Sequence, residues 1–425
     1  MISRETRFFQ KNRVSKCFIY TKFTIFSMIF YIIAYLLLLW QIPAFAVLLS
    51  RLIKGPTRRS PLLPKASNPA KSQTVSVIVP TLNEAERITP CLQGLTAQGE
   101  EVKEIIIVDS RSTDHTAEIV NDWASKDQRL QLINDDPLPK DWVGRPWALH
   151  HGFLHSSPQT TWLLGMDADT QPKAGLVASL LEVAETENYD LITLSPQFIL
   201  KYPGELWLQP ALLLTLVYRF GPTGTDANTA DQVMANGQCF FCRKSVLQIV
   251  NGYTSARNSF CDDVTLARNI AHQGFRVGFL DGSQLYRVRM YEGFQETWRE
   301  WGRSLDLKDA STPALIAADL WLLSSVQGLP LLIIFSYFIL GISGLPVFSN
   351  FMELNPVNLL LWLNLLLIMI RIAMNGAIAS AYYLGEAKYQ WLFWLSPLAD
   401  PLAFLRIWLS ASHRPQSWRG RVYDH

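Results

Sequence analysis

Between Phe23 and Ser50 the chain carries no charged residue at all, and that run limits what its first segment can become. A helix of about 23 residues rises roughly 34 Å, enough to cross the hydrocarbon core of a bilayer. The run is too long for a signal-peptide core and no small-residue cleavage site stands out, so it reads as a retained transmembrane anchor at 28–50. Residues 1–27 ahead of it form a basic tail, with Arg4, Arg7, Lys11, Arg13, Lys16 and Lys22 against the single Glu5. Residues 51–73 read as a linker. Pro56, Pro61, Pro64 and Pro69 disfavour helix there, and the Lys and Arg between them suit an anionic membrane surface.

The other end of the chain has the same character. Leu320 to Met352 is uncharged, and further apolar stretches fill 357–384 and 391–411. The expected spans are 320–342, 357–384 and 391–411, the last transmembrane or re-entrant because Pro397, Asp400, Pro401 and Arg406 interrupt it; 412–425 is a basic tail. Arg371 stands inside the second of these spans. A mid-span charge marks function by default, with snorkelling or a local ion pair as the competing explanations.

Charged residues make up only 17% of the chain, against about 25% in soluble proteins, and the deficit is concentrated in these apolar runs. A net charge of +2 excludes the broad basic field that nucleic-acid binding needs. Five cysteines in 425 residues do not make a disulfide scaffold. Cys239 and Cys242 form one CxxC with no second pair to complete a zinc site, so two small apolar residues of a buried strand is the favoured reading.

Residues 74–310 have the composition of a globular domain. Val75–Val79, Glu104–Val108, Leu130–Ile133 and Trp162–Met166 read as strands, with Ala85–Leu95 and Thr116–Ala124 as helices between them. This alternation predicts an α/β domain built on a mostly parallel sheet covered on both faces. The apolar run Leu206–Tyr218 interrupts the rhythm and is too short to span; it reads either as an interfacial helix lying on lipid or as a core helix.

In a parallel sheet, ligands bind at the carboxyl ends of strands, and that is where this domain keeps its carboxylates. The first strand ends in Pro80-Thr81-Leu82-Asn83-Glu84, a polar turn able to hold a nucleobase and ribose. The second ends in Asp109-Ser110, with Asp109 placed to accept hydrogen bonds from a nucleoside; Asp114 beyond it reads equally as ligand contact or helix cap. Arg145, in Gly144-Arg145-Pro146-Trp147, offers a planar fork to a phosphate. His150 and His151 are adjacent, so on a helix they diverge by about 100° and do not readily share an ion. The fourth strand ends in Asp167-Ala168-Asp169, two carboxylates one residue apart, which suits a hard cation such as Mn2+ or Mg2+ on a diphosphate. Asp262-Asp263 opens an expected helix; either caps it, or one of them removes a proton from an attacking hydroxyl. Trp298, Arg299, Trp301 and Arg303 precede the spans, as an acceptor or diphosphate contact or as an interfacial belt.

Taken in order, these clusters resemble the family 2 inverting glycosyltransferases of GT-A fold, over roughly residues 74–304. The resemblance implies a Rossmann-like, mostly parallel GT-A domain flanked by transmembrane helices. It implies nucleotide-sugar binding by Pro80, Thr81, Asn83, Glu84, Asp109, Ser110, Arg145 and Asp167, and Mn2+ or Mg2+ on Asp169 with Asp167. It implies Asp263 as catalytic base, with Asn236, Gly237, Asp262, Trp298, Trp301 and Arg303 on the acceptor or diphosphate side. Three departures stand out: Arg145 replaces a frequent lysine, Asp262 replaces a usual glutamate, and the Gln-x-x-Arg-Trp motif of processive synthases is missing. One anchor before the domain and a few spans after it resemble the carotenoid 2′-O-glycosyltransferases of cyanobacteria and the hopanoid-associated glycosyltransferases. The expectation is therefore an enzyme transferring a sugar to a membrane-embedded lipid acceptor such as a carotenoid alcohol, in a multi-pass membrane protein with its catalytic domain in the cytoplasm. The rival expectations are another polyprenyl-lipid transferase, a processive polysaccharide synthase, and a non-catalytic scaffold. A nucleotidyltransferase of similar fold would carry a Gly-rich loop where Thr81-Leu82-Asn83-Glu84 stands.

Overall fold

The computed structural model describes residues 3–301, 305, 307–342, 351–412, 417–418 and 421–422, with side chains between 27 and 412. Helix α1 (Ser3–Leu52) continues the expected anchor in both directions. The linker follows it without a long helix and is pinned to the globular domain by the ion pairs Arg58–Asp281 and Arg59–Glu187.

The globular domain runs β1 (Val75–Thr81), α2 (Ile88–Thr96), β2 (Val102–Asp109), α3 (Thr116–Ala124), β3 (Leu130–Asn134), α4 (Gly144–His155), β4 (Trp162–Met166), β5 (Thr170–Pro172), α5 (Leu176–Thr186), β6 (Leu191–Ser195), β7 (Gln197–Ile199), α6 (Pro203–Phe220), β8 (Cys239–Arg243), α7 (Lys244–Ile249), α8 (Asp262–His272), β9 (Val277–Asp281), β10 (Tyr286–Val288) and α9 (Gly293–Glu300). Seven strands pair in the order β3-β2-β1-β4-β8-β6-β9. All pairs are parallel except those of β8, which runs against both β4 and β6. The central strands are chiefly apolar because both faces are covered, with Ser76 and Glu104 hydrogen-bonded to each other where β1 and β2 begin. Val77 and Val79 point into one core with α2 and α5, while Ile78 points into the other with α4 and α8. Helix α2 starts at Ile88 rather than at the expected Ala85, because the Glu84 carbonyl is taken by both Arg87 N and Ile88 N in a tight turn.

The C-terminal part continues as α10 (Pro313–Leu323), a π-helical turn (Ser324–Gly328), α11 (Leu329–Ile342), α12 (Pro356–Ile378), β11 (Tyr382–Tyr383), α13 (Trp391–Trp394) and α14 (Asp400–Ser412). Among the described residues, four helical segments are long and apolar enough to cross a membrane: Ser27–Thr57, Pro313–Ile342, Pro356–Ala381 and Gln390–Ser412. The first three meet in one bundle, where Ala34, Leu38, Tyr337, Val357 and Leu361 are buried together. The fourth packs both on the bundle segments, where Asp400 meets Arg371 and Gln327, and on the globular domain. Trp207 donates to the Leu395 carbonyl, Arg406 to the Trp298 carbonyl, and Lys308 to the Ala411 carbonyl. Chain re-entry is equally direct at β11, which pairs with β7 in a second, four-stranded sheet, β11-β7-β10-β5.

Arg371 is 1% exposed and meets both oxygens of Asp400 at 2.9 and 2.8 Å, with Asn375 and Ser396 completing its fork. The local ion pair is therefore its place in the structure. Helix α6, the interrupting apolar run, is a core helix. Leu206, Leu208, Leu212, Leu214 and Tyr218 are buried among α1, Trp301 and the C-terminal helices. It joins the sheet to the bundle, with Arg51 donating to the Tyr218 carbonyl and Gln327 to the Ala211 carbonyl.

Candidate active site

The carboxyl ends of β1, β2 and β4 share one edge of the sheet. Thr81 and Asp109 are register partners there, and β4 ends alongside at Met166, one residue before Asp167. Helix α4 opens at Gly144, so Arg145 sits in its first turn and projects across that edge. Its guanidinium gathers what the sequence kept apart. It donates to Asp167 Oδ1 at 3.0 Å, to the Gly237 carbonyl at 2.8 Å, and to Asp262 Oδ2, 117 residues away in the chain. The approach is close: a Cβ at Gly237 would stand 2.4 Å from the Arg145 fork, so the guanidinium would have to shift. Asp262 is thus a partner of Arg145, whose guanidinium meets three protein oxygens at the edge of the sheet.

Asp263 lies next to this clamp at the start of α8. Its Oδ2 accepts from Gly237 N at 2.7 Å and its Oδ1 from Val264 N at 2.9 Å. Burial raises its pKa above the ordinary carboxylate value, while the Arg145 charge and these two amides pull it back. Burial also pushes Asp262 up to about 7, with Arg145 opposing and the Asp263 and Asp167 charges adding to it. Burial works against the charge of Arg145 itself, but Asp167, Asp262 and Asp263 outweigh it and hold its pKa above normal.

Asp169 completes the strand-end pair. Burial, then the neighbouring Asp167 charge, push it up to about 7. Its Oδ1 is sealed from solvent with no hydrogen-bond partner, although the residue keeps a part-exposed edge. An orphaned buried carboxylate oxygen is costly unless something binds it. With Asp167 beside it, this is a donor set that fits a hard divalent cation. Among the described residues no cluster of three or more His, Cys, Asp or Glu side chains is placed to hold an ion. Two carboxylates with remaining ligands from phosphate and water is the usual arrangement for Mg2+ at a phosphate site.

A cavity of about 220 Å3 opens on this arrangement. Arg145, Asp167, Asn236, Gly237, Asp262 and Asp263 line its polar end, and Phe198, Leu213, Leu216, Met234, Phe279 and Trp301 its apolar end. Met234, Phe260 and Tyr291 at this cavity carried no motif in the sequence; only their closeness to Asn236-Gly237, Asp262-Asp263 and Trp298 would have pointed to them.

Other expected site residues stand elsewhere. Asp109 is on the same sheet edge, but its oxygens accept from Thr81 Oγ1, Ser112 N and Ser112 Oγ, so it organises its own loop. Ser110 donates to Asp135. Asn83, in the left-handed region, accepts from Thr113 N and ties the first loop to the second; Glu84 N donates to Thr116 Oγ1. Pro80 is half-buried near the end of β1. Asp114 accepts from Thr116 N and Ala85 N, tying the first loop to the start of α3. Asn236 is engaged with Gln238 at 3.1 Å. Trp301 lines the cavity, whereas Trp298 stacks on Phe294 and lies against Arg406 outside that lining. Arg303 lies outside the described residues. His150 stacks on Trp142 and accepts from Tyr253 N, and His151 and His155 pack together. Cys239 and Cys242 are buried free thiols in β8.

Residues 76–250 match the family described as Glycosyl transferase family 2. The chain is 24% identical over 266 residues to the 4,4'-diaponeurosporenoate glycosyltransferase of Staphylococcus haemolyticus (strain JCSC1435), covering 61% of this chain and 70% of that protein. It is 25% identical over 275 residues to the protein of the same name from Staphylococcus aureus (strain MRSA252), covering 64% and 72%. The mannosyltransferase PcManGT from Pyrobaculum calidifontis, solved in complex with GDP-Man and Mn2+, superposes on 89% of this chain and 98% of its own with a TM-score of 0.50 and 16% identity. At that identity the likeness is one of fold.

Proposed function

The chain carries a glycosyltransferase family 2 domain and is a glycosyltransferase; from that premise we propose that it moves one sugar, with inversion, from a nucleotide donor onto the hydroxyl of a membrane-embedded, carotenoid-type acceptor. The observation that carries the reading is the Arg145 clamp, which brings Asp167, one residue past the end of β4 and two before Asp169, and the Asp262-Asp263 helix start to one cavity. The relatives named for 4,4'-diaponeurosporenoate support the acceptor class, and so does α6, which joins that cavity to the bundle.

The donor nucleoside lies along the β1 and β2 ends, with its diphosphate toward Asp167 and Asp169. A divalent cation held by Asp169 and Asp167 would neutralise the charge that develops on the departing diphosphate. Asp263 takes the proton of the acceptor hydroxyl as that oxygen attacks the anomeric carbon. Its carboxylate is aimed by the Gly237 and Val264 amides, and Arg145 fixes Gly237 and Asp262 around it. The apolar end of the cavity keeps water from competing for the sugar.

For topology, we place the globular domain in the cytoplasm, where nucleotide sugars are made, with three crossing segments and Gln390–Ser412 re-entrant on the domain side. The contacts of Leu395, Arg406 and Ala411 with the domain support that choice. It also keeps the basic residues Arg414, Arg419 and Arg421 on the cytoplasmic side, as the positive-inside rule favours, while the six basic residues ahead of the first crossing segment fall on the other side.

Deleting the gene in its native host and comparing lipid and pigment extracts by mass spectrometry tests the reading. The expected result is accumulation of an acceptor lighter by one sugar. Unchanged extracts would contradict it, and loss of a ladder of several sugars would replace single transfer with chain extension.

A further inference from the structure

Behind the catalytic cavity lies a second, larger one of about 370 Å3, within the roughly 300–1,000 Å3 range of small-molecule sites. It is chiefly apolar, and its position in the fold is specific. One side is the C-terminal half of α6, another the end of α1 at Leu52, and a third the end of α12 at Met374, Ala377 and Ile378. Both α1 and α12 belong to the bundle, and both deliver their C-terminal ends here, at the junction of bundle and catalytic domain. Ala377 and Gly376 are exposed on α12, so the cavity meets the surface where apolar helix gives way to globular domain.

The two cavities are separated by a shared wall. Ser195, Leu213, Leu216, Met234 and Phe279 line both of them. The polar face of the first cavity, with Asp262 and Asp263, is therefore one layer of side chains from an apolar space that begins at the spans. Three of these wall residues, Leu213, Leu216 and Met234, have flexible or branched aliphatic side chains, and Leu213 and Leu216 are only half-buried.

We propose that this second cavity is the acceptor channel: it receives the apolar chain of a membrane-dissolved alcohol from the bilayer, between the ends of α1 and α12, and directs its hydroxyl past Leu216 and Met234 to Asp263. This rests on the proposed transfer to a lipid acceptor and names where that acceptor lies. The cavity holds only the reactive end of a long isoprenoid, and the remainder stays in the bilayer. Chain length beyond the cavity then adds little, whereas bulk near the hydroxyl must pass the five-residue wall.

The test is photolabelling of the full-length protein in native membranes with a straight-chain fatty alcohol that carries a diazirine midway along its chain, followed by peptide mapping. The expected label is on Leu213, Leu216, Val217, Met374 or Ala377. In the variant Ala377→Trp the label on the α6 residues should drop about tenfold, the scale expected when pocket volume is filled. Label on the outward-facing Leu36, Leu39 and Phe335 should stay unchanged. Label confined to those outward positions in the wild type would overturn the channel, and so would equal α6 labelling in the wild type and Ala377→Trp. A sugar-transfer assay on the same membranes separates the two claims. Transfer to a lipid without label in the cavity removes the channel and leaves the glycosyltransferase reading intact. Label in the cavity without transfer to any alcohol, from any nucleotide sugar supplied, leaves a lipid site and removes the acceptor role proposed for it.

Discussion

Two regions of this molecule each bury an arginine, and they balance it differently. In the bundle, Arg371 meets one carboxylate, Asp400, and its remaining donors meet the neutral Asn375 and Ser396. The charges cancel. At the strand ends, Arg145 faces Asp167, Asp262 and Asp263, with Asp169 close behind Asp167. There the four carboxylates outnumber the cations, Arg145 and the Arg87 charge near Asp169; one carboxylate oxygen has no partner, and burial pushes two of the four up to about 7. A balanced buried pair fixes helices relative to one another. An unbalanced cluster stores negative potential that a cationic ligand or a proton must relieve, which is what a metal-assisted, base-catalysed transfer requires.

The comparison breaks first at the metal. Chelation should abolish transfer, and added Mn2+ should restore it in the wild type but not in Asp169→Asn, measured as sugar incorporated into the lipid fraction. Full activity in EDTA would mean that Arg145 and Arg87 alone offset the surplus charge. The second test concerns the balanced side. Arg371→Leu leaves Asp400 buried without its partner, a change worth about 3–5 kcal/mol of stability. It should lower the yield of folded protein in membranes, and the double variant Arg371→Leu/Asp400→Leu should recover most of it. Turnover per folded molecule should stay near wild type in both, since neither residue touches the cavity. If Arg371→Leu instead folds normally and loses turnover, the pair serves the reaction and the contrast with Arg145 fails.

A smaller effect is expected from pH. The deprotonated form of Asp263 is the active one, and its pKa is raised above the ordinary carboxylate value by burial. The rate should therefore fall as pH drops, with an acidic limb above the range of an exposed aspartate. A rate that holds steady down to about pH 4 would exclude a raised carboxylate as the base.

Much of this was legible in the sequence, for identifiable reasons. The strands showed because a sheet covered on both faces is made of nearly continuous apolar runs, as in Val77–Val79 and Ile105–Val108. The carboxylates showed because they stand directly after those runs. The partners of Arg145 did not show, since nothing local to residue 145 announces Asp262 or the Gly237 carbonyl. Nor did the sequence show that Thr81 and Ser112 donate to Asp109, because Thr81 reaches it only through the pairing of β1 with β2. The Leu206–Tyr218 run was ambiguous because apolarity alone does not distinguish lipid from protein as the neighbour. The structure surrounds it with protein, against α1, Trp301 and the C-terminal helices. The third C-terminal stretch was ambiguous for the same reason; its contacts with α6, α9 and Lys308 are long-range and leave no mark on its own composition.

The central claim is that Asp263 removes the acceptor proton in a cavity it shares with Asp167 of the proposed metal-holding strand end. Single-turnover transfer by Asp263→Asn, with donor binding measured on the same preparation, tests it most directly. The account predicts donor affinity near wild type and a rate lower by about 10²–10⁴, the range of general-base assistance. A near-normal rate with the donor bound would contradict it.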